Sequence, residues 1–71
     1  MKTIKRSEYH NDGILVNLET TFVPYQDLLD NHSKYLDKSK KYYFVCKRGI
    51  KSKIVVSVLE TYGYDVTQIL N

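Results

Sequence analysis

Residues 42–52 read Tyr42-Tyr43-Phe44-Val45-Cys46-Lys47-Arg48-Gly49-Ile50-Lys51-Ser52, and a second apolar run, Ile54-Val55-Val56-Ser57-Val58-Leu59, follows closely. A short apolar run, a polar loop holding a glycine and a longer apolar segment predict strand, tight loop and helix. That order puts the thiol of Cys46 at the end of a strand, close to a helix N-terminus. The unpaired N–H groups of a first helical turn, together with the helix dipole, favour an anion there. A thiol in that position loses its proton more readily and becomes a nucleophilic thiolate. Ser52 has the side chain of an N-cap, and Gly49 suits a backbone that turns sharply beside a ligand. Lys47, Arg48 and Lys51 add positive charge around the loop.

These residues stand as Cys46-x-x-Gly49-x-Lys51-Ser52, which resembles the C-x-x-G-x-R-S/T loop of rhodanese-like sulfurtransferases, with lysine where arginine is usual. Downstream, Leu59-Glu60-Thr61-Tyr62-Gly63-Tyr64-Asp65-Val66 is similar to that family's L-x-x-x-G-Y-x-V helix end. Upstream, Val23-Pro24-Tyr25-Gln26-Asp27-Leu28-Leu29 is similar to its I-P-x-x-x-L helix start. The likeness runs over residues 23–70. It implies an α/β, three-layer fold with a short, mainly parallel sheet of about three strands flanked by helices. It further implies that Cys46 is the catalytic nucleophile, that Lys47, Arg48, Gly49, Ile50, Lys51 and Ser52 bind the substrate, and that no metal or other cofactor is needed.

A chain of 71 residues with a hydrophobic share of 42% is expected to form one domain near the lower size limit for independent stability. The resemblance makes that domain, residues 1–71, a truncated or minimal rhodanese-like one. So small a core leaves a homodimer as an open alternative. One cysteine forms no internal disulfide and fits a reducing compartment. With neither a secretory leader nor a membrane-length apolar window in sight, the expected location is cytoplasmic, with no membrane partner. Lys38 to Lys53 holds seven basic residues and no acid, whereas the remainder holds four basic and eight acidic ones. Positive charge therefore gathers around Cys46, where it can steer small anions. Lys38, Lys40 and Lys41 read more simply as solubilising a turn.

Taken in order, Ser7 is expected to cap a short turn through Tyr9 ending before Gly13. Ile14-Leu15-Val16-Asn17-Leu18 reads as a strand buried on both faces. The family's comparable strand leads into an aspartate and an arginine, where Asn17 and Glu19 stand here. Only Thr20-Thr21-Phe22 separates Glu19 from Val23-Pro24, too little for the family's extra helix or for a parallel crossover of about a dozen residues. Residues 21–23 are thus expected to be an extended connection. Tyr25, Leu28, Leu29, His32, Tyr35 and Leu36 recur at helical spacing behind Pro24. In the later helix Ile54, Val55, Val58, Leu59 and Tyr62 are expected to face inward, with Gly63 as the stop and Val66 to Leu70 as the last strand. By resemblance, the Tyr42 strand is central, between those of Ile14 and Val66.

Three functions compete. In sulfur transfer, Cys46 takes sulfane sulfur from a small anionic donor such as thiosulfate and passes it to a thiol, cyanide-like or protein acceptor. In the alternative, the same fold is a weakly active or non-catalytic sulfur-carrier and protein-interaction module, because a lysine lacks the planar fork of arginine. Cysteine-dependent phosphatase is a distant third: that loop needs arginine after five residues, and Ser52 stands there. Nucleic acid is disfavoured, since the tyrosines are scattered and form no stacking platform. His10 and His32 show no metal-ligand spacing. A cysteine ending a buried strand also suits the bland role of a small core hydrophobe.

Overall fold

The computed structural model describes residues 1–21 and 23–70. Four strands, β1 (Thr3–Lys5), β2 (Ile14–Asn17), β3 (Lys41–Val45) and β4 (Asp65–Leu70), form one sheet in the order β1-β4-β3-β2. Every neighbouring pair is parallel. The helices are α1 (Tyr25–Asp30), α2 (His32–Tyr35) and α3 (Ile50–Thr61), and Arg6–Glu8 forms a 3-10 turn. The three expected strands are present with Tyr42 in the centre, and β1 joins them beside β4.

The chain moves from β2 to β3 to β4 in one direction across the sheet, then β1 lies beyond β4. Right-handed crossovers put both connections of the forward walk on the same face. Accordingly α1 and α3 share a face, over Tyr42, Phe44, Cys46 and Val66, with Val55, Val56, Leu59 and Leu28 closing the core. The step from β1 to β2 runs in the opposite direction, so its connection belongs on the other face. There Tyr9, from that connection, packs on Tyr43, Val45 and Ile69, with Ile4 of β1 beside them. Residues 6–13 thus supply the third layer without a helix of normal length.

Side-chain alternation along β3 explains both faces. Tyr42, Phe44 and, one residue past the strand, Cys46 point toward the helices, while Tyr43 and Val45 point away. Such two-sided burial is why residues 42–46 are continuously apolar. The strand Ile14–Asn17 is different. It lies at the sheet edge, with Ile14 43% and Leu15 40% exposed, so the expectation of burial on both faces is corrected. An unbroken apolar run does not separate a central strand from an edge one.

The Ser7 turn is also displaced: Ser7 lies inside Arg6–Glu8, and the cap is Lys5, whose backbone N–H donates to Glu8 Oε1 at 2.7 Å. Thr21 and Val23 are not in a strand, as expected; Phe22 of that segment lies outside the described residues. The helix expected through Leu36 breaks at Asn31 (φ −127°), whose side-chain amide donates to Asp27 Oδ1 at 2.7 Å. The Asn31 backbone N–H still bonds Asp27 O at 2.8 Å, so the first helix closes its last turn before the chain bends. In α3 the buried positions are Ser52, Val55, Val56 and Leu59. Ile54 and Tyr62 are 42% and 50% exposed, which corrects the expected inward set. Gly63 ends α3, with its N–H on Glu60 O and the Tyr64 N–H on Leu59 O, a Schellman arrangement. His32 joins this corner by stacking on Tyr62 and lying 2.7 Å from the Tyr64 hydroxyl.

Gly13 is where the cover meets the sheet. A Cβ there falls 2.8 Å from Lys41 O and 2.9 Å from Tyr43 Cε2. Tyr43 is held by Tyr9 at 4.9 Å between ring centroids, and the Tyr9 hydroxyl donates to Gly13 O at 2.9 Å. Neither obstacle is a free side-chain tip. Gly13→Ala is expected to destabilise the fold by about 1–3 kcal/mol, an overpacking cost, read as a lower urea midpoint. An unchanged midpoint would mean that the 6–13 layer shifts freely.

Candidate functional site

Parallel strands deliver their carboxyl ends to one edge of the sheet, and that edge gathers the loop of residues 46–49, the start of α3 and the turn after β2. Cys46 is 3% exposed and forms the floor of a cleft of about 420 Å³. The other lining residues are Glu19, Tyr25, Lys47, Arg48, Ile50, Lys51 and Ile54.

The cap of α3 is Gly49 (φ 76°), not Ser52. The left-handed backbone is the reason a glycine is needed there. It folds the loop back so that N–H groups of the first turn converge on sulfur. Ser52, fully buried in that turn, donates its backbone N–H to Cys46 Sγ at 3.3 Å, and its Oγ lies 3.4 Å from Sγ. The backbone N–H groups of Gly49 and Lys51, in the same turn, also favour the sulfur anion. Burial pushes the Cys46 thiol up, but these bonds, led by the Ser52 hydroxyl and N–H, outweigh it and hold the pKa below the ordinary cysteine value.

This difference gives a pH prediction. The thiolate absorbance of the native protein is expected to titrate at lower pH than that of the urea-unfolded chain, whose midpoint should lie at about 8.5. In the window between the two midpoints the unfolded state binds the extra proton. Stability from this group is therefore present above the unfolded midpoint and is lost as pH falls through the folded one. Equal midpoints would remove the activated thiol.

The remaining loop residues divide by place. Lys47 and Arg48 are exposed on the rim, and Ile50 is 60% exposed beside them. Lys51 does not point at the thiol unopposed: its Nζ lies 3.7 Å from Glu19 Oε2 and 5.9 Å from the centre of the Tyr25 ring. The other Glu19 oxygen accepts the Lys47 backbone N–H at 3.4 Å. Glu19 is held in place by a turn in which Asn17 Oδ1 accepts its N–H at 3.0 Å. Its arrival was not anticipated from the sequence. The signal was available, however, since residues following two adjacent parallel strands meet at the same edge.

Gln68 was missed as well. Its Nε2 donates to Gly49 O at 2.9 Å and to Ser52 Oγ at 3.0 Å. A lone amide inside the apolar strand Val66–Leu70, on the same face as Val66, was the clue. Lys38, Lys40 and Lys41 stay apart at the opposite end of β3, where Lys41 pairs with Asp12 at 3.1 Å. Among the described residues no group of three or more His, Cys, Asp or Glu side chains could hold a metal, and no helix is long and apolar enough to cross a membrane.

No family model matches the chain. It superposes on the crystal structure of a rhodanese-related protein from Thermoplasma volcanium with a TM-score of 0.83, covering 97% of this chain and 83% of that one at 18% identity. The fold is rhodanese-like. In sequence, this rhodanese-like chain is 40% identical over 43 residues to the tRNA sulfurtransferase of Histophilus somni, in strains 2336 and 129Pt alike. The match takes in 61% of this chain and 9% of those proteins, so it spans less than a tenth of their length.

Proposed function

We propose that the chain transfers sulfane sulfur through a persulfide on Cys46. The observation that carries this reading is the first turn of α3 closing on Cys46, with the Ser52 N–H 3.3 Å and the Ser52 Oγ 3.4 Å from Sγ, on the floor of an open cleft. The rhodanese-like fold and a partial relative named as a sulfurtransferase support the same chemistry. With thiosulfate as donor, the Cys46 thiolate attacks the outer sulfur. A new S–S bond forms as the bond to the sulfonate sulfur breaks, and sulfite leaves with the electron pair. The persulfide anion carries its charge into the cleft, where N–H groups and the rim cations stabilise it. A thiolate or cyanide acceptor then attacks the outer sulfur and returns Cys46 as thiolate.

The test is intact mass after incubation with thiosulfate. The expected result is a gain of one sulfur atom, reversed by a thiol acceptor and absent from urea-unfolded protein. No gain in the native protein overturns the reading for this donor. A carrier that receives its sulfur from another protein is the second reading. It draws on Glu19, which sets a carboxylate against Lys51 where a dianion would bind.

The distant lysines separate these chemistries from a basic binding surface. Replacing Lys38, Lys40 and Lys41 together with glutamine is expected to change thiosulfate turnover by less than about twofold. Lys41 begins β3, four residues at ~3.3 Å each from Val45, and Lys38 and Lys40 precede it. A loss of turnover, or nucleic-acid binding whose salt dependence becomes shallower in the variant, would count against a site confined to the cleft.

A further inference from the structure

Gln68 sits at the centre of β4, 3% exposed, with Phe44 as its partner across the parallel ladder. A buried amide in a sheet face otherwise devoted to the core is costly unless it is bonded. Here its Nε2 reaches two acceptors, Gly49 O at 2.9 Å and Ser52 Oγ at 3.0 Å. The carbonyl of Gly49 can only accept, so the atom beside it must be the amide nitrogen, which settles the orientation of the side chain. The second N–H of the same nitrogen then falls on Ser52 Oγ.

A hydroxyl that accepts there has its own proton left to donate. Cys46 Sγ lies 3.4 Å from Ser52 Oγ: the protonated thiol donates to that oxygen, and once the sulfur ionises it can only accept, so the hydroxyl proton turns to it. We infer that Gln68 is a positioning residue: its amide holds the Ser52 hydroxyl with the proton toward Cys46 Sγ and pins the Gly49 carbonyl that begins α3. The same contact fixes the left-handed turn at Gly49, so one side chain from β4 ties the loop to the sheet. This deepens the sulfur-transfer reading by naming what orders its anion cradle, though the geometry itself refers only to the thiolate. Gln68 stands behind the loop and outside the cleft lining, where it contacts no substrate.

The experiment measures the thiolate midpoint of Cys46 by ultraviolet absorbance, and the rate of iodoacetamide alkylation at fixed pH. The variants are Gln68→Met, Ser52→Ala and the double replacement. Gln68→Met keeps the length and volume of the side chain and removes both donations. It is expected to raise the midpoint by about one pH unit, equivalent to about a tenfold loss of thiolate well below the midpoint. Ser52→Ala should do the same. In the double variant the Gln68 change should add clearly less than it does alone, because the part of its effect that runs through the hydroxyl is already gone and only the hold on the Gly49 carbonyl is left to lose. The charged groups lining the cleft with Cys46, namely Glu19, Lys47, Arg48 and Lys51, are unaltered in every variant.

An unchanged midpoint in Gln68→Met, or fully additive shifts in the double variant, overturns the inference. A merely structural amide would lower the unfolding midpoint without moving the titration. Should Gln68→Met not fold, Gln68→Asn, one methylene too short to reach Ser52, is held to the same criteria. Alkylation requires no sulfur donor. Failure of persulfide formation with normal Gln68–Ser52 coupling therefore strikes the functional reading alone, and the reverse outcome strikes only the role of Gln68.

Discussion

Cys46→Ser is expected to reduce thiosulfate turnover by about a thousandfold or more, and to abolish the gain of one sulfur atom, while the protein stays folded. The size of the effect follows from removing the atom on which the proposed persulfide forms. Serine oxygen does not ionise near neutral pH, so the cradle cannot convert it into a comparable nucleophile. The fold should tolerate the change, because an oxygen at this place still accepts the Ser52 N–H that now bonds Sγ at 3.3 Å. Cys46→Ala makes the complementary case. It leaves the buried N–H and hydroxyl of Ser52 facing a void, and it is expected to cost about 1–3 kcal/mol in stability. Activity of Cys46→Ser within tenfold of the parent protein would remove the persulfide from the mechanism. The pair of variants separates loss of chemistry from loss of structure, since only the alanine form should also lower the denaturation midpoint.

The fold was legible in residues 42–66 because three signals agree there. A continuous apolar run marks the central strand, a loop with Gly49 follows, and Gly63 closes a helix whose Leu59 and Val55 face the sheet. The edge strand was misread since Ile14 to Leu18 carries the same apolar pattern without the same burial. What such a run lacks is any mark of its neighbours, and only topology supplies that. β1 escaped notice for a related reason: three residues, Thr3 to Lys5, are too few to show a period.

Within the site, the local part of the design was readable and the long-range part was not. Cys46, Gly49 and Ser52 lie within one short segment, and their convergence follows from strand, turn and helix alone. Even so, Ser52 acts through its N–H and hydroxyl on sulfur, not as the cap, because Gly49 takes the left-handed cap position. Glu19 and Gln68 come from elements 27 and 22 residues from Cys46 in the sequence. They meet the loop only after β2 and β4 settle on either side of β3. Both are polar residues at or inside apolar runs, and such interruptions mark sites where the sheet serves something besides packing.

Lys51→Glu is expected to cut thiosulfate turnover by about a hundredfold while leaving the fold intact. Thiosulfate is a dianion, and the reacting complex keeps that charge beside the thiolate, so the sign at the rim acts directly on the barrier. Two charges about 4 Å apart interact by ~1 kcal/mol in water and ~4 kcal/mol at the effective dielectric near a protein surface. Lys51 and Glu19 are each close to half exposed, which places this pair toward the screened end of that range. Reversing one charge against a dianion, beside a carboxylate already 3.7 Å from Lys51 Nζ, makes the mouth repulsive. Lys51→Arg should preserve or raise activity, because its planar fork can bond two sulfonate oxygens together. Glu19→Gln supplies the opposite perturbation: it releases Lys51 from its partner and is expected to raise turnover at limiting thiosulfate a few-fold, more at low ionic strength than at high. Steady-state rates against thiosulfate concentration at two salt levels decide the matter. If Lys51→Glu retains near-normal turnover and Glu19→Gln gains nothing, the anion is held by Arg48 and the backbone N–H groups, and the Glu19–Lys51 pair only shapes the rim.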